Sequence, residues 1–267
     1  MSLNGQVALI TGASRGLGRE VAKLLAERRV RLILTARGAD ALRAVEEALL
    51  PHTDVVALPG DIAIESHAER LVARGLRRFG RIDLLINNAS SLGPTPMPRL
   101  DAFPPEALDR VFRINATAPL RLIQLVLPEM RAAGRGVIIN VTSDAGVQAY
   151  PGWGGYGASK AALEHLSRTL AAELAGSGIR VYVVDPGDMN TQMHRDAEPG
   201  VDLSHLPGPE AAAERLVRLV EEETAPAGRF ILSSWTPRGD RSGPVPGHEE
   251  APEGRAEALQ PAERVLR

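Results

Sequence analysis

Short apolar runs alternate with longer stretches in which apolar residues recur every three or four positions. Residues 7–11, 31–35, 55–58, 84–86, 136–143, 181–184 and 229–233 have the length and β-branched content of buried strands. Residues 20–28 place Val21, Leu24 and Leu25 on one helical face, and residues 39–50, 65–79, 106–133, 156–174 and 209–223 repeat that period. Residues 91–105 hold five prolines and read as a loop. Residues 192–208 have little regular pattern and read as a mobile cover. Strands that alternate with helices imply right-handed crossovers and a seven-stranded, mostly parallel sheet with helices on both faces, in one doubly wound α/β domain over residues 1–236. Residues 237–267 are rich in Pro, Gly and charge. They read as a poorly ordered tail or an arm on a neighbour, with a weak helix near 253–266.

In such a sheet ligands sit beyond the carboxyl ends of the strands. Six features fall there: the glycine loop after the first strand, Arg37, Asp61, Asn87, Ser143 and Pro186-Gly187. The loop Thr11-Gly12-Ala13-Ser14-Arg15-Gly16-Leu17-Gly18 joins a strand to a helix. Its glycines let backbone approach a pyrophosphate, and the helix start supplies N–H groups, so the domain reads as Rossmann-type. NAD binders carry an acidic residue at the end of the second strand. Here Ala36-Arg37 stand instead, and a 2′-phosphate would need the positive charge of Arg37 and Arg15, so NADP(H) is favoured over NAD(H). Asp61-Ile62 are placed to meet an adenine, and Asn87-Asn88-Ala89-Ser90 can tie loop backbone together. Asn115 is a poor helix former in mid-helix and is either exposed or has a polar task.

Tyr156 and Lys160 stand one helical turn apart on one face. A phenol there can act as acid or base if a neighbouring ammonium favours its ionised form. Ser143 could converge on the pair from a strand end. Tyr150, Trp153 and Tyr156 cluster beside that strand end as a candidate pocket wall, with Gln148, Met189, Met193 and His194 as further pocket candidates or plain packing.

Composition narrows the reading. The net charge is −2 and no basic stripe is interleaved with aromatics, so no nucleic-acid partner is expected. Without cysteine there is no disulfide, thiol catalysis or thiolate metal site, and no metal cluster is credible. No signal peptide or membrane span is visible, which makes a cytoplasmic protein the expectation. Of 31 basic residues only Lys23 and Lys160 are lysines, so Lys160 marks a place where arginine will not serve.

Together these motifs resemble the short-chain dehydrogenase/reductase family over roughly residues 4–235. Thr11-Gly12-x-x-x-Gly16-x-Gly18 resembles its cofactor loop. Asn87-Asn88-Ala89 resembles its structural motif, with Ser90 where glycine is usual. Asn115, Ser143, Tyr156 and Lys160 resemble its catalytic tetrad, and Pro186-Gly187-x-x-x-Thr191 its nicotinamide segment. The resemblance implies that Tyr156 is the proton donor in carbonyl reduction and that Lys160 lowers its pKa and binds the nicotinamide ribose. It implies that Ser143 holds the substrate oxygen and that Asn115 holds a water linking Lys160 to solvent. Met189 and Thr191 would contact the carboxamide, Arg15 and Arg37 would select NADP, and Asp61 would meet the adenine. Further cofactor contacts are expected from Ser14, Leu17, Ile62, Asn88 and Ala89. The implied activity is reduction of a small-molecule ketone to a secondary alcohol, in a homodimer or homotetramer. An NADP(H)-sensing binding protein on the same fold is the alternative, but such proteins usually have a broken catalytic set. Nucleotide-sugar epimerase or dehydratase chemistry is disfavoured by the short chain and by the three-residue gap after Gly12.

Overall fold

The computed structural model describes residues 2–236; the expected tail 237–267 lies outside them. Strands β1 (Val7–Thr11), β2 (Arg31–Thr35), β3 (Val55–Ala57), β4 (Leu84–Asn87), β5 (Gly136–Val141), β6 (Ile179–Asp185) and β7 (Ala227–Ile231) form one sheet in the order β3-β2-β1-β4-β5-β6-β7. All six pairings are parallel. The chain winds outward from β1 to β3, then returns to lay β4 on the other side of β1. A crevice opens at that reversal, beyond the strand ends.

Strand parity explains the two cores. On β1, Ala8 and Ile10 face helices α1 (Gly16–Glu27), α2 (Ala39–Leu49) and α8 (Pro209–Glu222). Val7 and Leu9 face α3 (Glu65–Phe79) and α5 (Ala118–Ala133) on the other side. Both faces are covered, so the strands are apolar without alternation. Each fully buried aliphatic side chain contributes about 1.5–3 kcal/mol. A polar tie crosses this core: Asn87 Nδ2 donates to Asn140 Oδ1 (2.8 Å), and Asn140 Nδ2 donates to Ser167 Oγ (2.8 Å) on α6 (Gly154–Glu173). It fixes β4, β5 and α6 relative to one another, and those elements carry the site.

Four boundaries differ from the sequence expectation. The expected helix 106–133 is broken into α4 (Pro105–Phe112), a π turn at Arg113–Thr117 and α5. The cause lies in the sequence. Pro119 has no N–H to give the carbonyl of Asn115, and the Ala118 N–H donates to Arg113 O, five residues back. The segment 192–208, expected to be irregular, contains helix α7 (Gln192–Ala197), whose His194 N–H is accepted by Thr191 Oγ1 at 3.4 Å. β5 stops at Val141, leaving Ser143 beyond the strand, and β7 starts two residues earlier than expected. Among the described residues no helix is long and apolar enough to cross a membrane.

Asn140→Ala strands the Asn87 amide and the Ser167 hydroxyl in the core. A loss of about 2–3 kcal/mol is expected in urea unfolding, and an unchanged midpoint would refute the tie.

Candidate active site

The cleft at the strand ends has a volume of about 1250 Å³. Its floor is backbone. Gly12 has φ +67°, and a side-chain carbon there would meet Asn88 Nδ2 at 2.8 Å. Gly18 does not line the cleft but lies behind it, where a side-chain carbon would sit 2.4 Å from Gly12 O. Asn88 closes the loop: its Nδ2 donates to Thr11 O (2.9 Å) and Gly12 O (3.2 Å). Thr11 Oγ1 in turn accepts from the N–H groups of Asn88 (3.0 Å) and Ala89 (2.9 Å). Helix α1 starts at Gly16 with no side-chain cap and no acidic residue in its first turn. Its leading N–H groups are therefore left for an anion.

Ser14, Arg15, Gly16, Leu17 and Arg37 line this half of the cleft. Neither Arg15 nor Arg37 is in an ion pair among the described residues, although most other cleft charges are matched. Asp61 and Ile62 lie at the expected end. Burial pushes the Asp61 carboxyl up, but the Ala63 N–H (2.9 Å) and Arg110 (2.8 Å) hold it below its usual range. The Asp61 carboxylate is thus already partnered. Pro186, Met189 and Thr191 line the other half, and Gly187 (φ +77°) turns the loop while donating to Asp185 Oδ1 at 3.0 Å.

Tyr156 and Lys160 both line the cleft from the start of α6. Lys160 is 2% exposed, and its Nζ donates to Val141 O at 2.8 Å. Burial lowers its pKa to about 8, against the opposing pull of Glu164 and Asp185. Burial pushes the Tyr156 phenol well above its usual value, hydrogen bonding with Ser90 and Ser143 pulls it down, and the Asp185 and Asp144 charges push it up. Here the structure departs from the expectation that Lys160 lowers the phenol's pKa. Its ammonium faces the ring, 5.5 Å from the centroid, and is spent on a carbonyl.

Ser143 is half-buried beside Tyr156, and its hydroxyl donates to Asp144 Oδ1 at 2.8 Å. Burial pushes the Asp144 carboxyl up, yet the Ser143 and Tyr150 hydroxyls hold it below its usual range. Asn115 is fully buried behind the cleft. Its Nδ2 donates to Ser91 O (2.8 Å) and Ser159 Oγ (2.9 Å), and its Oδ1 accepts from Ser91 N (2.8 Å) and Ser90 Oγ (3.2 Å). The amide has no valence left for a water. Only the main-chain carbonyl, denied an α-helical donor by Pro119, could hold one.

Sequence reasoning missed the charged cluster beneath the site. Glu164 is 2% exposed, one turn beyond Lys160. Arg229 from β7 reaches Glu164 Oε1 (3.2 Å), Asp185 Oδ2 (3.1 Å) and the carbonyl of Ser143 (3.5 Å). Thr142 Oγ1 donates to Glu164 Oε1 at 2.8 Å. Burial raises the Asp185 carboxyl, and the Gly187 N–H and Arg229 oppose it. A signal existed in the apolar period of α6, which Glu164 interrupts, but its partner lies 65 residues away.

Around the mouth, Leu92, Met97, Trp153 and Met193 pack about Tyr156 as an apolar wall. Trp153 meets the Tyr156 ring edge-on at 5.9 Å. Gln148 and Tyr150 turn outward, where the Tyr150 hydroxyl bonds Asp144 Oδ2 at 2.8 Å. His194 points to Glu198 (3.3 Å) and not into the cleft.

A parallel sheet with a glycine-floored cleft at its switch point defines a dinucleotide-binding α/β protein. More particularly, the chain belongs to the short-chain dehydrogenase family, whose model matches residues 6–202. It is 37% identical over 203 residues to a rhamnolipids biosynthesis 3-oxoacyl-[acyl-carrier-protein] reductase of Pseudomonas aeruginosa, covering 73% of this chain and 77% of that protein. It is 32% identical over 229 residues to 2-(R)-hydroxypropyl-CoM dehydrogenase of Xanthobacter autotrophicus, covering 84% and 87%. Among solved structures it is similar to a metagenomic short-chain oxidoreductase in complex with NADP, with TM-score 0.73 and 30% identity over 86% of this chain and 99% of that one.

Removing Arg229 leaves two buried carboxylates facing each other. Arg229→Ala should cost about 3 kcal/mol in chemical unfolding, whereas Arg229→Lys, which keeps one charge, should recover part of it. Equal stability of wild type and Arg229→Ala would show that the cluster does not support the fold.

Proposed function

We propose that this chain is an NADP(H)-dependent oxidoreductase that interconverts a ketone and a secondary alcohol, working as a reductase with Tyr156 as general acid/base. The observation that carries the reading is the convergence of a phenol, a buried ammonium and a serine hydroxyl on one side of a glycine-floored cleft. The fit to a dinucleotide rests on the same cleft. Gly12 leaves room for a phosphate, the uncapped α1 start offers N–H groups, and Arg15 and Arg37 are unspent cations where a 2′-phosphate would lie. The similar oxidoreductase solved with NADP supports that choice.

When bound, the reduced nicotinamide supplies the hydride. The chain's own residues do the rest. Ser143 turns its hydroxyl from Asp144 to the substrate oxygen, where negative charge develops. Tyr156 delivers its proton to that oxygen. Lys160, with a pKa of about 8, carries a proton at neutral pH and can release one, which suits it to recharge the phenol. The carbonyl of Asn115 is the position for a water that leads protons to Lys160. The apolar wall of Leu92, Met97, Trp153 and Met193 fits a substrate whose carbonyl bears a hydrocarbon group. A 3-oxoacyl thioester, the substrate type named for the Pseudomonas relative, is one candidate.

Two measurements test this. NADPH oxidation is followed against a panel of ketones and 3-oxo thioesters; Tyr156→Phe should lower turnover at least about a hundredfold while NADPH still binds. Unchanged turnover would sink the mechanism, and no consumption with any carbonyl would favour the sensing role instead. Arg37→Ala should weaken NADPH about tenfold or more with little change for NADH; equal loss for both cofactors would remove Arg37 from phosphate recognition.

A further inference from the structure

We propose that Ser90 is a positioning residue for Tyr156, its hydroxyl turning between the Asn115 amide oxygen and the phenolic oxygen as Tyr156 gives up and regains its proton. This rests on the role of Tyr156 proposed above. Ser90 follows β4 and stands where the family usually has glycine. Its backbone is not in the left-handed region, so the conformation of the loop does not require glycine. The loop is held tightly, because both Ser91 N and Ser91 O bond the Asn115 amide at 2.8 Å. That anchoring puts the Ser90 side chain on the cleft wall. Its Oγ donates to Asn115 Oδ1 at 3.2 Å and also hydrogen-bonds with the Tyr156 phenol.

A hydroxyl has one proton and two lone pairs. While Tyr156 is protonated, Ser90 gives its proton to Asn115 and accepts from the phenol. Once Tyr156 has protonated the substrate oxygen, the Ser90 proton swings to the phenolate. Asn115 Oδ1 is not orphaned by the swing, because the Ser91 N–H remains on it. No covalent bond changes at Ser90. Ser143 cannot do this work at the same moment, since its one proton is needed on the substrate oxygen. Lys160 is spent on Val141 O and faces the ring. Ser90 is thus the hydroxyl left for the phenolate, a provision that a glycine at this position could not make.

The test uses the full chain with NADP+ and the secondary alcohol matching the ketone reduced fastest in the panel. The rising limb of the kcat profile against pH reports ionisation of the base. In Ser90→Ala the limb should move up by about one pH unit, with kcat at pH 7 about tenfold lower and KM little changed. Ser90→Thr, which keeps the hydroxyl, should restore it. Should Ser90→Ala misfold, Ser90→Gly, the residue usual in the family, gives the same comparison. A profile in Ser90→Ala or Ser90→Gly that superimposes on the wild type overturns the inference while leaving the role of Tyr156 intact. Turnover that survives Tyr156→Phe, or no carbonyl reduced at all, removes the reading on which it rests.

Discussion

Burying the ammonium of Lys160 is the constraint from which much of the site follows. An uncompensated charge at 2% exposure costs several kcal/mol. Val141 O takes one of its protons, and Glu164 and Asp185 supply opposing charge. Those carboxylates are themselves buried, so Arg229 must reach across from β7 to hold both. In doing so it touches the carbonyl of Ser143, and Asp185 binds the N–H of Gly187. One buried cation thus ties the serine loop, the nicotinamide-side loop and α6 into one unit. The compensation is incomplete, and the remaining penalty is what brings Lys160 to a pKa of about 8. An arginine could not take that place, because its guanidinium has no accessible neutral form and its planar fork is wider. The scarcity of lysine in the chain has its explanation here.

Asn115 answers to a different constraint, because its side chain and its backbone are used separately. The amide is saturated by Ser90, Ser91 and Ser159, and so staples the loop after β4 to α6. The carbonyl is set free of the helix by Pro119, at the cost of a π turn. A regular helix through 106–133 would have consumed that carbonyl. The break is therefore what gives the site a backbone acceptor facing the lysine side.

The sheet, its order of strands and the cofactor half of the cleft were legible in the sequence because they are local. Gly12, Gly16 and Gly18 sit within one turn, and Ala8 and Ile10 alternate with Val7 and Leu9 within one strand. The π turn was legible in principle, from a proline four residues after Asn115, but the apolar period runs through it unbroken. Helix α7 was hidden because Gln192–Ala197 is too short to show a period. Arg229 was hidden because its partners at 164 and 185 are brought near only by the sheet. Lys160 was correctly singled out, but its helical spacing from Tyr156 said nothing about where the ammonium points. It points at Val141 and the ring, so the phenol has to find its hydrogen bonds at Ser90 and Ser143.

The two halves of the cleft differ in what they are made of. The dinucleotide half is backbone held by Thr11 and Asn88, and backbone geometry demands particular residues at particular spacings. The substrate half is side chains from three loops, with Leu92 and Met97 from one, Trp153 from a second and Met193 from a third. An apolar wall accepts many residue combinations of similar volume. Such a wall leaves no spacing rule to read, and substrate choice can change there without disturbing the strand ends that carry Tyr156 and Lys160. The hydroxyls at the boundary, Ser90 and Ser143, belong to both halves. Each sits on the backbone framework, yet each addresses the phenol on which the substrate's proton depends.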